Sequence, residues 1–301
     1  MIHKDVNRFS RFFNHGFGSV NQTRRAALFF GVMLIGLVSI ITSCDSGLFS
    51  SGPRATVENP NRWRLVWHDE FDYTGPPNPE FWNIEVLGPG AYNRELQAYT
   101  QRPENVRAED GMLIIEAHPI PGTLRGYTSA RINTRNKQNM YLGRVEVRAK
   151  LPDALGTWPA LWLLPVETTG RVGWPHSGEI DFMEHVGFDN GVIHASVHTS
   201  KYNWPNGNHH TQTYTLPSVV TDFHIYALEW TEESLDFYVD DVLITRFVNE
   251  NTGWEAWPFD VPFYLIMNLA VGGEWGGARG VDRDAYPARF EIDWVRVYRE
   301  R

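Results

Sequence analysis

Three carboxylates, Glu179, Asp181 and Glu184, fall within the six residues Glu179-Ile180-Asp181-Phe182-Met183-Glu184. The other three residues are apolar, and the run has the look of a strand. Burying even one unpaired carboxylate is costly, so a fold has no use for three. A cleft in which the charges act on a substrate accounts for them, whereas Ile180, Phe182 and Met183 argue against a solvated acidic edge. Two carboxyl groups flanking one bond are the usual apparatus for breaking a glycosidic link.

Strand parity tests the idea. Side chains alternate faces, so Glu179 and Asp181 share one face and Ile180 takes the other. Glu184 falls on the wrong face of a regular strand. A single bulge at Phe182 or Met183 corrects this, because a bulge sets two residues against one. All three acids then face the cleft, with Ile180 and one of Phe182 or Met183 in the core. Four effective steps place the outer Cα atoms about 13 Å apart, so the two Glu side chains must lean together over Asp181. Three carboxyl groups this close cannot all ionise freely, and at least one pKa should rise.

The elements that hold these residues come from the rest of the chain. Residues 1–25 carry Lys4, Arg8, Arg11, Arg24 and Arg25 against Asp5, and 26–41 are apolar. The pattern is that of an export signal. Ending in Ile41-Thr42-Ser43-Cys44, it resembles a bacterial lipoprotein signal, with Cys44 as the lipidated residue. The apolar run is short for a spanning helix, which wants about 20 residues. Residues 45–60, rich in Ser, Gly and Pro, read as a flexible tether. Residues 61–301 suffice for one large core, without internal repeats.

Cys44 is the only cysteine, so no intramolecular disulfide is available. Net charge is −9, and residues 1–44 are basic, so the remainder is more acidic still. That argues against nucleic acid as a partner and disfavours sulfated chains, while a neutral polymer suits it. Helical periodicity is nearly absent. Short runs at 112–118, 141–150, 158–164, 192–199, 223–229, 234–239, 242–248, 263–269 and 290–298 alternate with Gly, Pro, Asn or Asp. They predict an all-β fold: a two-sheet antiparallel β-sandwich of the jelly-roll type with a concave cleft. Asp240-Asp241 predicts a tight hairpin.

Tryptophan is frequent, at 12 residues. Trp63, Trp67, Trp82, Trp230 and Trp294 lie in strand-like contexts and are expected in the core. Trp158, Trp162, Trp174, Trp204 and Trp275 lie beside Gly, Pro or the acidic run, where flat rings suit sugars. Trp158 and Trp162, four apart, share a strand face.

Most of 63–299 resembles glycoside hydrolase family 16, and within it the bacterial laminarinases, endo-β-1,3-glucanases. The similarity runs in order through Asn93-Arg94-Glu95-Leu96-Gln97, Ser129–Thr134, Gly143–Pro152, Gly156-Thr157-Trp158-Pro159-Ala160-Leu161-Trp162, Gly178–Gly187, Val197-His198-Thr199, Asn268–Trp275 and Ile292–Tyr298. The bulged acidic motif, with two residues between Asp and the second Glu, is the form of laminarinases, agarases and carrageenases. Two positions depart from the pattern: Arg94 stands where a second Asn is usual, and Glu274 where Asn is common.

The resemblance implies Glu179 as nucleophile, Glu184 as acid/base and Asp181 as partner of the nucleophile. It implies glucan contacts at Asn93, Arg131, Trp158, Trp162, His198 and Trp275, with His194 near by parity. No cofactor is expected for catalysis. A structural calcium is implied at Glu70, a Gly111 carbonyl and Asp293, for which a surface salt bridge at Asp293 is the competing account. Zinc at His185, His194 and His198 competes weakly, since His185 lies on another segment and no Cys or nearby acid completes a set. The expected partners are a β-1,3-glucan and, through the lipid, an outer-membrane, cell-surface or periplasmic face, the chain acting as a monomer. Hydrolysis or transglycosylation of another β-glucan or galactan is the alternative. A non-catalytic glucan-binding role is disfavoured because all three acids are present.

Overall fold

The computed structural model describes residues 62–301, apart from 169 and 172. Cys44, the export signal over 1–44 and the tether over 45–60 lie outside the described residues. In chain order the strands are β1 (Trp63–Asp69), β2 (Asn83–Ile84), β3 (Gln97–Tyr99), β4 (Val106–Glu109), β5 (Met112–Pro119) and β6 (Tyr127–Ser129). They continue with β7 (Arg131–Asn133), β8 (Asn139–Met140), β9 (Gly143–Lys150), β10 (Thr157–Pro165), β11 (Glu179–Glu184) and β12 (Val192–His198). The last are β13 (His210–Thr215), β14 (His224–Trp230), β15 (Ser234–Val239), β16 (Val242–Val248), β17 (Phe263–Val271) and β18 (Ala288–Glu300).

Two sheets form. One runs β13-β12-β11-β10-β17-β7-β2, with β8 paired to β17. The other runs β16-β15-β14-β9-β18-β5-β6-β3, with β1 on β18 and β4 on β5. Pairing is antiparallel as expected, except for the parallel pair β3–β6. Alternation explains the sandwich. On β17, Leu265, Met267 and Leu269 enter the core while Ile266, Asn268 and Ala270 face the other way. Leu161 and Leu163 do the same on β10, and Ile193, Ala195 and Val197 on β12. Asp240 and Asp241, both with positive φ, make the two-residue turn between β15 and β16.

β11 carries the expected bulge. Asp181 pairs with Ser196 and Glu184 with His194, so three steps on β11 match two on β12. Phe182 and Met183 are both fully buried, not one of the two. A bulge directs successive side chains toward one side, and here both enter the core. Glycines bracket the strand for two different reasons. Gly178 has φ +89°, and Gly187 passes so close to the turn before β10 that a Cβ would lie 2.0 Å from the Ala154 carbonyl oxygen.

A second irregularity lies in β18, between Ile292 and Trp294. It reverses the parity expected there. Ile292 and Val295 belong to the core cluster, while Trp294, buried as expected, packs beneath the Arg296 guanidinium at 4.0 Å on the other face. Trp82 and Trp230 are core residues as expected, whereas Trp63 and Trp67 are only partly buried.

Candidate active site

The outward face of the β13–β2 sheet lines a cleft of about 1110 Å³. Its lining includes Glu179, Asp181 and Glu184 from β11, Trp158, Ala160 and Trp162 from β10, Asn268 and Ala270 from β17, and Arg131 and Asn133 from β7. Direct pairing runs in one row from His194 through Glu184, Ala160 and Asn268 to Arg131. Neighbouring strands lie about 4.8 Å apart. The row is therefore a ruler across the cleft, and Ala160 and Ala270 leave its floor low between the two tryptophans.

The acids are buried together, and their protonation follows from that. Burial raises Glu184 to about 7, and a 3.0 Å hydrogen bond donated by Trp158 Nε1 to Glu184 Oε1 works against the rise. Burial and the Glu184 charge raise Glu179 further, to about 8, while Arg131 and the Trp174 indole work against the rise. Asp181 is pushed well up by burial and by the charges of both Glu neighbours. Its Oδ2 has no hydrogen-bond partner, and His198 Nε2 lies 3.5 Å away. All three carboxyl groups are pushed up together, so the cluster holds protons near neutrality instead of three charges. Burial lowers His198 to about 4, so its ring is neutral beside the acids.

The other sequence-predicted residues fall as follows. Arg131, nearly buried, is sandwiched between the rings of Tyr92 at 4.9 Å and Trp162 at 4.7 Å, and pairs with Glu85 at 3.1 Å. Asn93, in a left-handed conformation, lies on the wall and donates to Glu95. His198 ends β12 opposite Glu179 and stacks on His209 at 5.2 Å. Trp275, half-buried and not among the lining residues, stands edge-on to Trp158 at 5.3 Å and to His194 at 4.8 Å. The two departures from the family pattern meet: Arg94 Nε is 3.4 Å from Glu274 Oε1.

Neither metal reading fits the residues. Glu70 accepts from Arg296 through both oxygens at 2.9 Å, and Asp293 is paired with Arg148. Calcium needs several oxygens turned to one point, and these two carboxylates are each turned to an arginine. His185 accepts from the Gly191 N–H instead of joining His194 and His198. The one cluster of three potential ligands among the described residues is Glu179, Asp181 and His198, which belongs to the acids themselves.

Sequence reasoning missed Glu95, Tyr99 and Asn268 as cleft residues, while Trp174, read among the tryptophans suited to sugars, does line the cleft. Parity could have found Asn268, a polar residue on the outward side of an apolar strand. Glu95 and Tyr99 gave no such signal, because β3 has only three residues.

Residues 93–296 match the family Glycosyl hydrolases family 16. A beta-glucanase of Rhodothermus marinus is 53% identical over 244 residues, covering 79% of this chain and 85% of that protein. The X-ray structure of the laminarinase from Rhodothermus marinus superposes with a TM-score of 0.78 at 50% identity, over 81% of this chain and all of that one. SCLam, a non-specific endo-beta-1,3(4)-glucanase, gives a TM-score of 0.75 at 39% identity over 80% of this chain and 96% of its own. The chain belongs to glycosyl hydrolase family 16. It is a glycoside hydrolase with the family's jelly-roll fold.

Proposed function

We propose that the enzyme is an endo-acting, retaining β-1,3-glucanase of the laminarinase type, exported and held at a bacterial membrane by a lipid on Cys44, and active as a monomer. The observation that carries this reading is the bulged β11, which turns Glu179 and Glu184 into one aromatic-walled cleft with Asp181 between them. The glucanase names of the relatives support the glucan. The membrane anchor rests on the sequence of residues 1–44 alone. A calcium ion is left out of the proposal, since arginines already neutralise Glu70 and Asp293.

The chemistry follows in two steps. Glu184 gives its proton to the glycosidic oxygen as the C–O bond breaks, and Glu179, whose carboxylate form Arg131 and the Trp174 indole favour, bonds to the anomeric carbon. Water then attacks that carbon, Glu184 takes the water's proton, and Glu179 leaves. Burial pushes Asp181 up, which favours its neutral form beside the nucleophile. A second reading, cleavage of mixed-linkage glucan, is favoured by the 1,3(4) specificity in the name of the SCLam relative. Transglycosylation shares the same covalent intermediate.

The test combines product analysis with two variants. Laminarin, lichenan, agarose and carrageenan are offered to the wild type, and laminarin is expected to be cut to short oligosaccharides. Glu179→Gln should abolish turnover, including that of aryl glycosides. Glu184→Ala should regain turnover on aryl glycosides when azide is added. Near-normal turnover by Glu179→Gln would exclude it as the nucleophile.

A further inference from the structure

The cleft holds a fourth buried carboxylate that the chemistry above does not use. Glu95 is 7% exposed and lines the wall of the cleft. It accepts from Asn93 Nδ2 on Oε1 at 3.2 Å, and from Gln97 Nε2 at 2.7 Å and the Tyr99 hydroxyl at 3.2 Å on Oε2. The Tyr99 oxygen in turn accepts from Asn268 Nδ2 at 3.3 Å, and Asn268 Oδ1 accepts from Trp162 Nε1 at 2.7 Å. Gln97 Oε1 ties the same knot to the backbone by accepting from the Val271 N–H at 2.7 Å.

The direction of this chain is set from its indole end. An indole can only donate, and a phenol has one proton to give. The Asn268 amide must therefore present its oxygen to Trp162 and its nitrogen to Tyr99, and the single Tyr99 proton must point to Glu95. We propose that Glu95 is a positioning residue for the sugar platform: it ends a one-way hydrogen-bond relay that fixes the Trp162 indole, and it also holds the Asn93 amide on the cleft wall. Asn268 lies two strands from Glu184 along the paired row, about 10 Å away. Glu95 thus acts on the part of the cleft that grips the chain, away from the reacting carbon. Burial raises its pKa, and the donors around it together with the Arg131 charge work against the rise.

The inference rests on the glycosidase reading only for its kinetic arm, because the relay itself is read without substrate. Two variants of the whole chain test it. Glu95→Gln keeps the shape but meets three donors with an amide that must turn its own NH₂ toward one of them. Tyr99→Phe cuts the relay and leaves Glu95 its other two donors. The probe is the ¹H–¹⁵N resonance of the Trp162 indole, assigned with Trp162→Phe. In both variants it should move upfield and exchange with solvent roughly ten-fold faster, as expected for a lost hydrogen bond. In Glu95→Gln, KM on laminarin should rise about five- to ten-fold, with kcat changed less than about two-fold. An indole resonance unchanged in Tyr99→Phe overturns the relay, even where Glu95→Gln does not fold. Equal losses in kcat and KM terms with the indole unmoved would make Glu95 a packing residue and also overturn it. A shifted indole in an enzyme inactive on laminarin supports the relay and rejects the substrate assignment instead.

Discussion

Glu184 is the residue whose protonation sets the working pH, and Trp158 is its tuner. An N–H donated to a carboxylate favours the charged form, so the Trp158 bond holds Glu184 below the value burial alone would give. Trp158→Phe removes that donor and keeps an aromatic face. Glu184 should then hold its proton to higher pH, and the alkaline limb of kcat/KM should move up by roughly half to one pH unit. A limb that stays in place or moves down would show that the indole N–H does not reach the acid in solution. The same scale explains the two departures from the family pattern. Arg94 and Glu274 are both largely exposed and face each other, so they compensate in charge while adding little stability.

At the scale of elements, the decisive part is β11 and the glycines at its ends. The bulge is what brings Glu184 to the face of Glu179, and Phe182 and Met183, buried in the core, anchor it. Gly187 fixes where the strand leaves, its N–H donating to the Thr157 carbonyl at 3.0 Å. A methyl there would collide with backbone, which cannot swing aside as a side chain can. Gly187→Ala should therefore cost on the order of 1–3 kcal/mol, seen as a lower Tm, and kcat should fall with it because Glu184 is displaced. Gly88→Ala, where a Cβ meets nothing within 4 Å and φ is ordinary, is the control and should melt like the wild type. Equal melting of the two variants would refute the tight approach. The long strands were legible because their alternation is regular: 234–239 and 242–248 coincide with β15 and β16. β13 was not legible, since its side chains are mostly exposed and it lacks an apolar face.

For the molecule as a whole, the acidic chain is expected to work while tethered. The sugar-binding face is built within residues 62–301, and the proposed lipid on Cys44 lies well before it in sequence. Cys44→Ala should abolish fatty-acid labelling and move the protein from the membrane to the soluble fraction, with kcat/KM on soluble laminarin unchanged. Membrane association that persists in the variant, with no labelling of the wild type, would reject lipidation in favour of a hydrophobic anchor.

The sequence by itself determined the all-β class, the strand faces of Trp158 and Trp162, and the need for a bulge between Asp181 and Glu184. Each of these follows from the two-residue period of a strand, which is a local property. Tertiary structure decided what period alone cannot reach. The β18 irregularity set Trp294 beneath Arg296, and arginines from neighbouring strands took Glu70 and Asp293. Trp275 was set edge-on to Trp158, and Tyr99 was joined to Asn268 across 169 positions of chain. A carboxylate, an amide and an indole become one relay only when β3, β17 and β10 are stacked. Their contacts depend on which strands are neighbours and in what register, and no local pattern of residues encodes that.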